Sequence, residues 1–396
     1  MADKHTRNDL LQMQSLPLSA KIQMTKRRIS EWVEYFGEDG VYVSFSGGKD
    51  STVLLDLVRK IYPQIPAVFV DTGLEYPEIR EFVRTFENVV WLKPKMNFRQ
   101  VIEKYGYPFF SKEISECIAE SRKYIKILTD RQTDRQTDRQ TEVHYAYRIA
   151  DMIGVDRRKN KGNKLYQMLK EGNIPSEILE APVRIKQLFG VKCDKYGDMY
   201  DRSRYLFMLE APFEVSNMCC KVMKKAPVHA YSKETGRKPI TAQMADESRL
   251  RTSKWLQNGC NAFEAKNPIS NPMSFWTEQD VLLYIKENDI PLASVYGDIV
   301  VDYFAMNQCD NQMSLSDYGV SEKETPILKT TGCERTGCMF CGYGCHLEKS
   351  PNRFERMKQT NSKIYDYIMR SKSYGGLGYK EIIEWINANG NMNIKF

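Results

Sequence analysis

The sequence predicts an α/β fold built on a parallel sheet. Over residues 41–94, short apolar runs alternate with stretches of helical period, the pattern of strand–helix–strand units. Polar, turn-forming residues stand where two of those runs end: SGGKDS at 46–51 and DTG at 71–73. No run is long and apolar enough to span a membrane, so the apolar stretches belong to a folded core.

The elements follow in order. Residues 7–37 carry Leu10, Leu11, Met13, Leu16, Ile22 and Ile29 in a loose helical pattern that Gly40 closes. VYVSF (41–45) reads as a short buried strand. Residues 51–62 read as a helix with Val53, Leu54, Leu57, Val58 and Ile61 on one face. PAVFVDTG (66–73) is a second strand, 77–87 a helix and VVWLKP a third strand. The middle of the chain is less legible, with one candidate strand in YLFMLEAPF (205–213). Thr277 can cap a helix bearing Val281, Leu282, Tyr284 and Ile285. Residues 352–371 and 379–389 read as closing helices. The expected organisation is a helical segment at 1–39, a nucleotide-binding α/β domain at 40–300 and a cysteine-containing extension at 301–396.

The chain has 396 residues, 42% hydrophobic and 28% charged, normal for a globular protein of one large or two ordinary domains. A net charge of +7 suits an anionic ligand and admits nucleic acid without demonstrating either. MADKHTRNDLLQMQSL has no signal-peptide core, so a cytoplasmic location is expected. There the ten cysteines stay mostly reduced, and clustered ones point to metal or redox chemistry rather than disulfides.

SGGKDS between a strand and a helix is a phosphate cradle by construction. Backbone N–H groups in a glycine turn at a helix N-terminus attract an anion. Lys49 adds a charge, and Ser46 and Ser51 add hydroxyls around Gly47 and Gly48. Asp50 would repel phosphate unless a cation such as Mg²⁺ lies between them. The spacing is not that of a Walker A loop. The site is expected in a surface crevice, where loss of Lys49 leaves the fold intact.

The cysteines offer two quartets. Cys219 and Cys220 are adjacent, and Cys333, Cys338, Cys341 and Cys345 follow a C-x4-C-x2-C-x3-C spacing. The compact set alone could hold a [4Fe–4S] cluster or a structural zinc; the adjacent pair joined to Cys338 and Cys341 is the other choice.

These motifs carry a family resemblance. SGGKDS resembles the PP-loop of ATP pyrophosphatases, and VDTGLEYPE (70–78) resembles the second nucleotide segment of the phosphoadenosine phosphosulfate (PAPS) reductase family. MCCKVMKKAPVHAY (218–231) is similar to the cysteine-pair segment of the iron–sulfur adenylyl sulfate reductases, and TGCMFC (336–341) to their second pair. ADESRLR (245–251) and NPMSFWTEQDVLLYI (271–285) match further segments. The resemblance implies an adenine nucleotide α-hydrolase-like, Rossmann-like fold with a helical, cysteine-containing C-terminal extension. It implies that Ser46, Gly47, Gly48, Lys49, Asp50 and Ser51 contact phosphates, with Asp71 and Thr72 near the nucleotide and Arg249 and Arg251 as anion contacts. It implies a [4Fe–4S] cluster on Cys219, Cys220, Cys338 and Cys341.

Two departures bear on the activity. The reductases carry a catalytic cysteine near the C-terminus, whereas no cysteine follows Cys345 here, so a thiolate attack would come from Cys333, Cys345 or Cys260. Their PP-loops are also degenerate, whereas the complete SGGKDS suits ATP, with Lys49 and Asp50 as the catalytic pair. The implied function is ATP activation at the α-phosphate coupled to sulfur transfer or reduction. The closest functional model is DNA phosphorothioation, with a sulfur donor and a nucleic-acid acceptor as partners. A true PAPS or adenylyl sulfate reductase, a tRNA thiolase and a non-catalytic nucleotide-binding regulator are the alternatives.

Residues 129–141, TDRQTDRQTDRQT, form a low-complexity insert that reads as a solvated loop or exposed helix. The codons GAC, AGA, CAG and ACA spell Asp-Arg-Gln-Thr and together are GACA repeated. We expect an uninterrupted GACA tract in the gene. Slippage by three units keeps the frame and changes only the length of a tolerant segment; slippage by one shifts the frame ahead of the CxxC. Such switching suits DNA modification or defence better than constitutive sulfate assimilation. Sequencing the gene checks it, and mixed synonymous codons across the repeat would remove the idea.

Overall fold

The computed structural model describes residues 4–133, 181–190, 201–303 and 326–396. Its secondary structure follows from local chemistry. Thr6 opens α1 (Arg7–Gln14) with a reciprocal cap: its hydroxyl accepts from the Asp9 N–H while the Asp9 carboxylate accepts from its own. The helix expected over 7–37 is broken by Pro17, which the helical ladder excludes, and resumes as α2 (Leu18–Phe36). The doubly wound part follows: β1 (Val41–Ser44), α3 (Lys49–Arg59), β2 (Ala67–Val70), α4 (Pro77–Arg84) and β3 (Val89–Leu92). Next come α5 (Phe98–Tyr105), β4 (Phe109–Phe110), α6 (Lys112–Thr133) and α7 (Val183–Leu188). After a short helical turn at Met218–Cys220 the chain forms α8 (Ala226–Thr235), β5 (Lys238–Ile240), α9 (Arg249–Asn258), β6 (Asn261–Ala262), β7 (Ile269–Ser270) and α10 (Glu278–Glu287). It ends with β8 (Ile299–Val301), β9 (Leu328–Thr330), β10 (Gly342–Tyr343), α11 (Arg353–Thr360), α12 (Ser362–Met369) and α13 (Tyr379–Gly390). The repeat enters the described residues only as the end of α6; its remainder, 134–141, lies outside them.

The chain divides into two compact units, each drawing on two stretches of sequence. The first, 1–95 with 224–338, holds the six-stranded sheet in the order β3-β2-β1-β5-β7-β6. Neighbouring strands are parallel except β6, which runs antiparallel to β7. Val43 pairs with Ala67 on one side and Ile240 on the other, so β1 is central. The chain leaves β1 toward β2 on one side and returns to β5 on the other. That reversal opens a crevice beyond the carboxyl end of β1, the usual ligand position in such sheets. Val43, Leu54, Leu57 and Phe69 fill the core with Trp32 and Trp276. Trp276 Nε1 donates to Thr25 Oγ1 at 2.8 Å, and Lys21 pairs with Asp280 at 2.7 Å, which fixes α2 against the cap of α10. Thr277 caps that helix as expected, its hydroxyl accepting from the Asp280 N–H.

The second unit is 96–223 with 339–396, and its described residues are mostly helical. Its two short strands, β4 and β10, pair in parallel, Phe109 opposite Gly342 and Phe110 opposite Tyr343. The strand expected in YLFMLEAPF is a 3-10 helix, Ser203–Glu210. Tyr205 to Leu209 are all buried, which removes the alternation a half-buried strand needs. The Arg122 guanidinium donates to the carbonyls of Met208, Ala211 and Phe213, occupying groups a strand would offer to a neighbour. No helix among the described residues is long and apolar enough to cross a membrane.

Candidate nucleotide site

The phosphate loop begins where β1 ends. Gly47 takes φ +71°, and a Cβ there would lie 2.7 Å from Val83 Cγ2 and 2.8 Å from Ile79 Cγ2. Only glycine turns the chain this tightly against α4. Gly48 is extended and caps α3, so Lys49 and Asp50 stand in the first helical turn, where N–H groups face an anion. The loop is braced by its own hydroxyls. Ser51 Oγ accepts from the Ser46 N–H at 3.2 Å, lies 3.0 Å from Ser46 Oγ and donates to the Gly48 carbonyl at 2.9 Å.

Lys49 is not in an open crevice: it is 3% exposed. Its ammonium donates to the Glu334 carbonyl at 3.1 Å and lies 3.1 Å from the Glu278 carboxylate and 3.5 Å from Asp50. Burial pulls its pKa down, but the Asp50 and Glu278 charges together hold it above its ordinary value. Burial pushes the Asp50 carboxyl up, against the pull of Lys49. The backbone N–H of Lys49 donates to the Tyr296 hydroxyl at 3.1 Å, and that hydroxyl lies 2.7 Å from Thr336 Oγ1. Glu278, Tyr296 and the 334–336 backbone are therefore parts of the site that the motif does not contain. Glu278 is the first residue after the Thr277 cap, a position the sequence does announce; Tyr296 and Glu334 carry no local signal.

At the end of β2, Asp71 is buried and pairs with Arg80 at 2.8 Å. Its other oxygen accepts from the Gly73 N–H at 3.2 Å. The Thr72 hydroxyl donates to Glu75 at 2.6 Å. Both residues shape this turn through the chain's own groups. Arg249 and Arg251 sit in the first turn of α9. Arg249 is exposed, whereas Arg251 is half-buried and ion-paired with Glu247. Burial lowers the Arg251 pKa, the Arg335 charge lowers it further, and Asp50 opposes both.

Among the cysteines, Cys219, Cys220, Cys341 and Cys345 belong to the second unit, and Cys333 and Cys338 to the first. Burial raises the Tyr343 phenol well above its ordinary range, and the neighbouring Cys220, Cys341 and Cys219 add to that rise. Tyr379, fully buried, is raised chiefly by burial and then by Cys341, Cys219 and Cys345. These four thiols therefore share one neighbourhood. The donor chemistry suits iron–sulfur ligation. Yet no group of three or more His, Cys, Asp or Glu residues is arranged to hold a metal ion among the described residues. Burial pushes Cys345 up to about 12 and also raises Cys260, so both stay thiols at neutral pH and neither is a ready nucleophile.

Comparison with known proteins bears on the whole arrangement. The chain is 42% identical to an uncharacterized protein of Methanocaldococcus jannaschii over 73 residues, 17% of this chain and 18% of that protein. It is 28% identical to the adenosine 5'-phosphosulfate reductase of Bacillus velezensis over 89 residues, 21% of this chain and 38% of the relative. The chain thus spans less than two fifths of the length of these relatives. A solved phosphoadenylyl-sulfate (PAPS) reductase from Candida auris, a phosphate complex, aligns over 83% of this chain and 100% of its own. At 12% identity and a TM-score of 0.33 that alignment has no bearing on the site. The phosphoadenosine phosphosulfate reductase domain matches residues 40–140 and 159–342, more than half of the sequence and the whole of the phosphate loop, and the chain belongs to that family.

Proposed function

We propose that the chain binds ATP through Ser46–Ser51 and activates it at the α-phosphorus for sulfur transfer or reduction. A nucleophile forms a bond to the α-phosphorus, and pyrophosphate leaves with the electron pair of the broken P–O bond. The observation that supports this most is the complete SGGKDS loop at the start of α3, with Lys49 buried and its pKa held above the ordinary value. Backbone N–H groups and the Ser46 and Ser51 hydroxyls would hold the phosphates. Lys49 would neutralise charge that grows on the leaving group. Positioning and charge compensation are then the main sources of rate.

Two absent groups fit the donors to different degrees. Asp50 Oδ1 is buried with no hydrogen bond, only the Lys49 ammonium at 3.5 Å, and the Glu278 carboxylate lies 3.1 Å from that same ammonium; two carboxylates of this kind are the donors that Mg²⁺ takes. Bound there, Mg²⁺ would supply charge neutralisation of the phosphates. For a [4Fe–4S] cluster the thiols are of the correct kind, but they are not closed around a centre among the described residues, so no step is assigned to it. Cys219, Cys220, Cys338 and Cys341 are its proposed ligands, with Cys333, Cys338, Cys341 and Cys345 as the other quartet.

The acceptor we favour is nucleic acid, DNA ahead of tRNA, with a separate sulfur donor. A sulfonucleotide reductase is the second reading, favoured by the names of several partial relatives. Calorimetric titration separates the two. The proposal expects ATP to bind and pyrophosphate to appear on turnover with donor and acceptor. Tight binding of adenylyl sulfate, sulfite release from it and no binding of ATP would establish the reductase instead.

A further inference from the structure

Arg335 is positioned by both of its neighbours. On one side the Glu334 carbonyl accepts from Lys49 Nζ at 3.1 Å. On the other, Thr336 Oγ1 lies 2.7 Å from the Tyr296 hydroxyl that accepts the Lys49 N–H. Just upstream, the N–H groups of Gly332 and Cys333 donate to the carbonyls of Tyr296 and Val295 at 2.8 and 2.9 Å. The backbone around Arg335 is therefore pinned to the phosphate loop, while its guanidinium is exposed. Its charge is felt by Asp50 and by Arg251.

At the start of α3, whose dipole already favours negative charge, Lys49 is ion-paired with Asp50 and Glu278, and Arg251 is ion-paired with Glu247, whereas the exposed Arg335 stands on the strap bonded to Lys49 and Tyr296. A ligand carrying adjacent anionic groups would meet, beyond these paired cations, the exposed guanidinium of Arg335. A planar guanidinium matches two oxygens of a phosphate or sulfate at once.

We propose that Arg335 is an anion-contacting, specificity-determining residue of this site, taking the phosphate or sulfate group next to the one cradled by Ser46–Ser51. The ligand class is a nucleotide with two adjoining anionic groups, a polyphosphate or a phosphosulfate. A monophosphate fills the loop and leaves Arg335 unused. The strap at 334–336 is already bonded in place, so little ordering cost is added on binding. This inference rests on the phosphate-loop reading above.

The test is calorimetric titration of wild type, Arg335→Ala, Arg335→Lys and Lys49→Met with ATP, pyrophosphate, adenylyl sulfate and AMP. Arg27→Ala, on the exposed face of α2, controls for net charge. Arg335→Ala is expected to melt like wild type and to bind pyrophosphate and at least one of ATP and adenylyl sulfate about tenfold more weakly or worse, with AMP changed less than about twofold. Arg335→Lys should fall between, since it keeps the charge without the fork. The arm that weakens, ATP or adenylyl sulfate, identifies the source of the second anion. Unchanged affinities in Arg335→Ala, an equal loss for AMP or the same loss in Arg27→Ala overturns the proposal. If Lys49→Met loses binding and Arg335→Ala does not, only the role of Arg335 falls. If wild type binds none of the ligands, or Lys49→Met binds them as well as wild type, the phosphate-loop reading falls and takes this one with it.

Discussion

Lys49→Met is expected to weaken ATP binding about ten- to hundredfold and to lower the melting temperature of the protein without ligand. The first effect is the loss of a charge-assisted contact to phosphate, about 1.5–3 kcal/mol. The second follows from burial. Lys49 compensates Asp50, whose carboxyl is already pushed up by its surroundings, and Glu278. Removing one partner leaves the others uncompensated. Because the Glu278 side chain is 40% exposed, solvent screens part of the loss. A cost of about 1–3 kcal/mol is the reasonable scale. The pH dependence is diagnostic. The folded chain holds the Asp50 proton to higher pH than the unfolded chain does, so between the two pKa values the folded state binds more protons and stability falls as pH rises. Without Lys49 the Asp50 pKa rises further. The melting deficit should therefore widen near about pH 8 and shrink near about pH 5. Asp50→Asn on the Lys49→Met background should recover most of it. Melting curves at the two pH values decide this; equal deficits would show that Asp50 is not the group involved.

If the proposed cluster on Cys219, Cys220, Cys338 and Cys341 forms, protein purified without oxygen is expected to absorb in the visible, and Cys219→Ser and Cys338→Ser are each expected to abolish that absorption. An iron–sulfur cluster with four thiolates tolerates the loss of one ligand poorly, and serine is a harder, weaker donor for iron. The two residues lie far apart in sequence, so joint loss identifies a shared centre. Colour retained in Cys219→Ser but lost in Cys333→Ser assigns the centre to the Cys333, Cys338, Cys341 and Cys345 set. Stoichiometric zinc without iron defeats both forms of the cluster. Cys345→Ser is the informative companion. Cys345 shares the surroundings of Tyr379 with Cys219 and Cys341, so its loss tests whether this thiol takes part in the proposed centre.

The phosphate loop was legible because its chemistry is local. A short buried strand, a glycine turn and a helix of period 3.6 occur within twenty residues, and β1, α3 and β2 form where the pattern places them. What was not legible comes from afar. Lys49 looks like a surface lysine until Glu278, Tyr296 and Glu334 close around it, and nothing near residue 49 announces them. The 205–213 run shows the opposite failure. Its apolar residues are real core residues, but an uninterrupted apolar run fits strand and helix alike, and the distant Arg122 settles it.

The order of strands in the sheet has a consequence for synthesis. β1 lies between β2 and β5, yet β2 leaves the ribosome shortly after β1, and β5 only after residues 96–223 have been made. At ordinary elongation rates the open side of β1 waits on the order of ten to forty seconds for its partner. The second unit waits as well, since β4 needs β10 from beyond residue 339. During that interval the nascent chain exposes an unpaired parallel edge with Val41 and Val43 on it, a template for joining other chains. A frameshift within 129–141 would make that state permanent. The truncated product would hold three of the six strands of the main sheet, with no β5, β6 or β7, so an off-frame allele would deliver a sticky fragment to the cell's chaperones and proteases rather than a quiet absence.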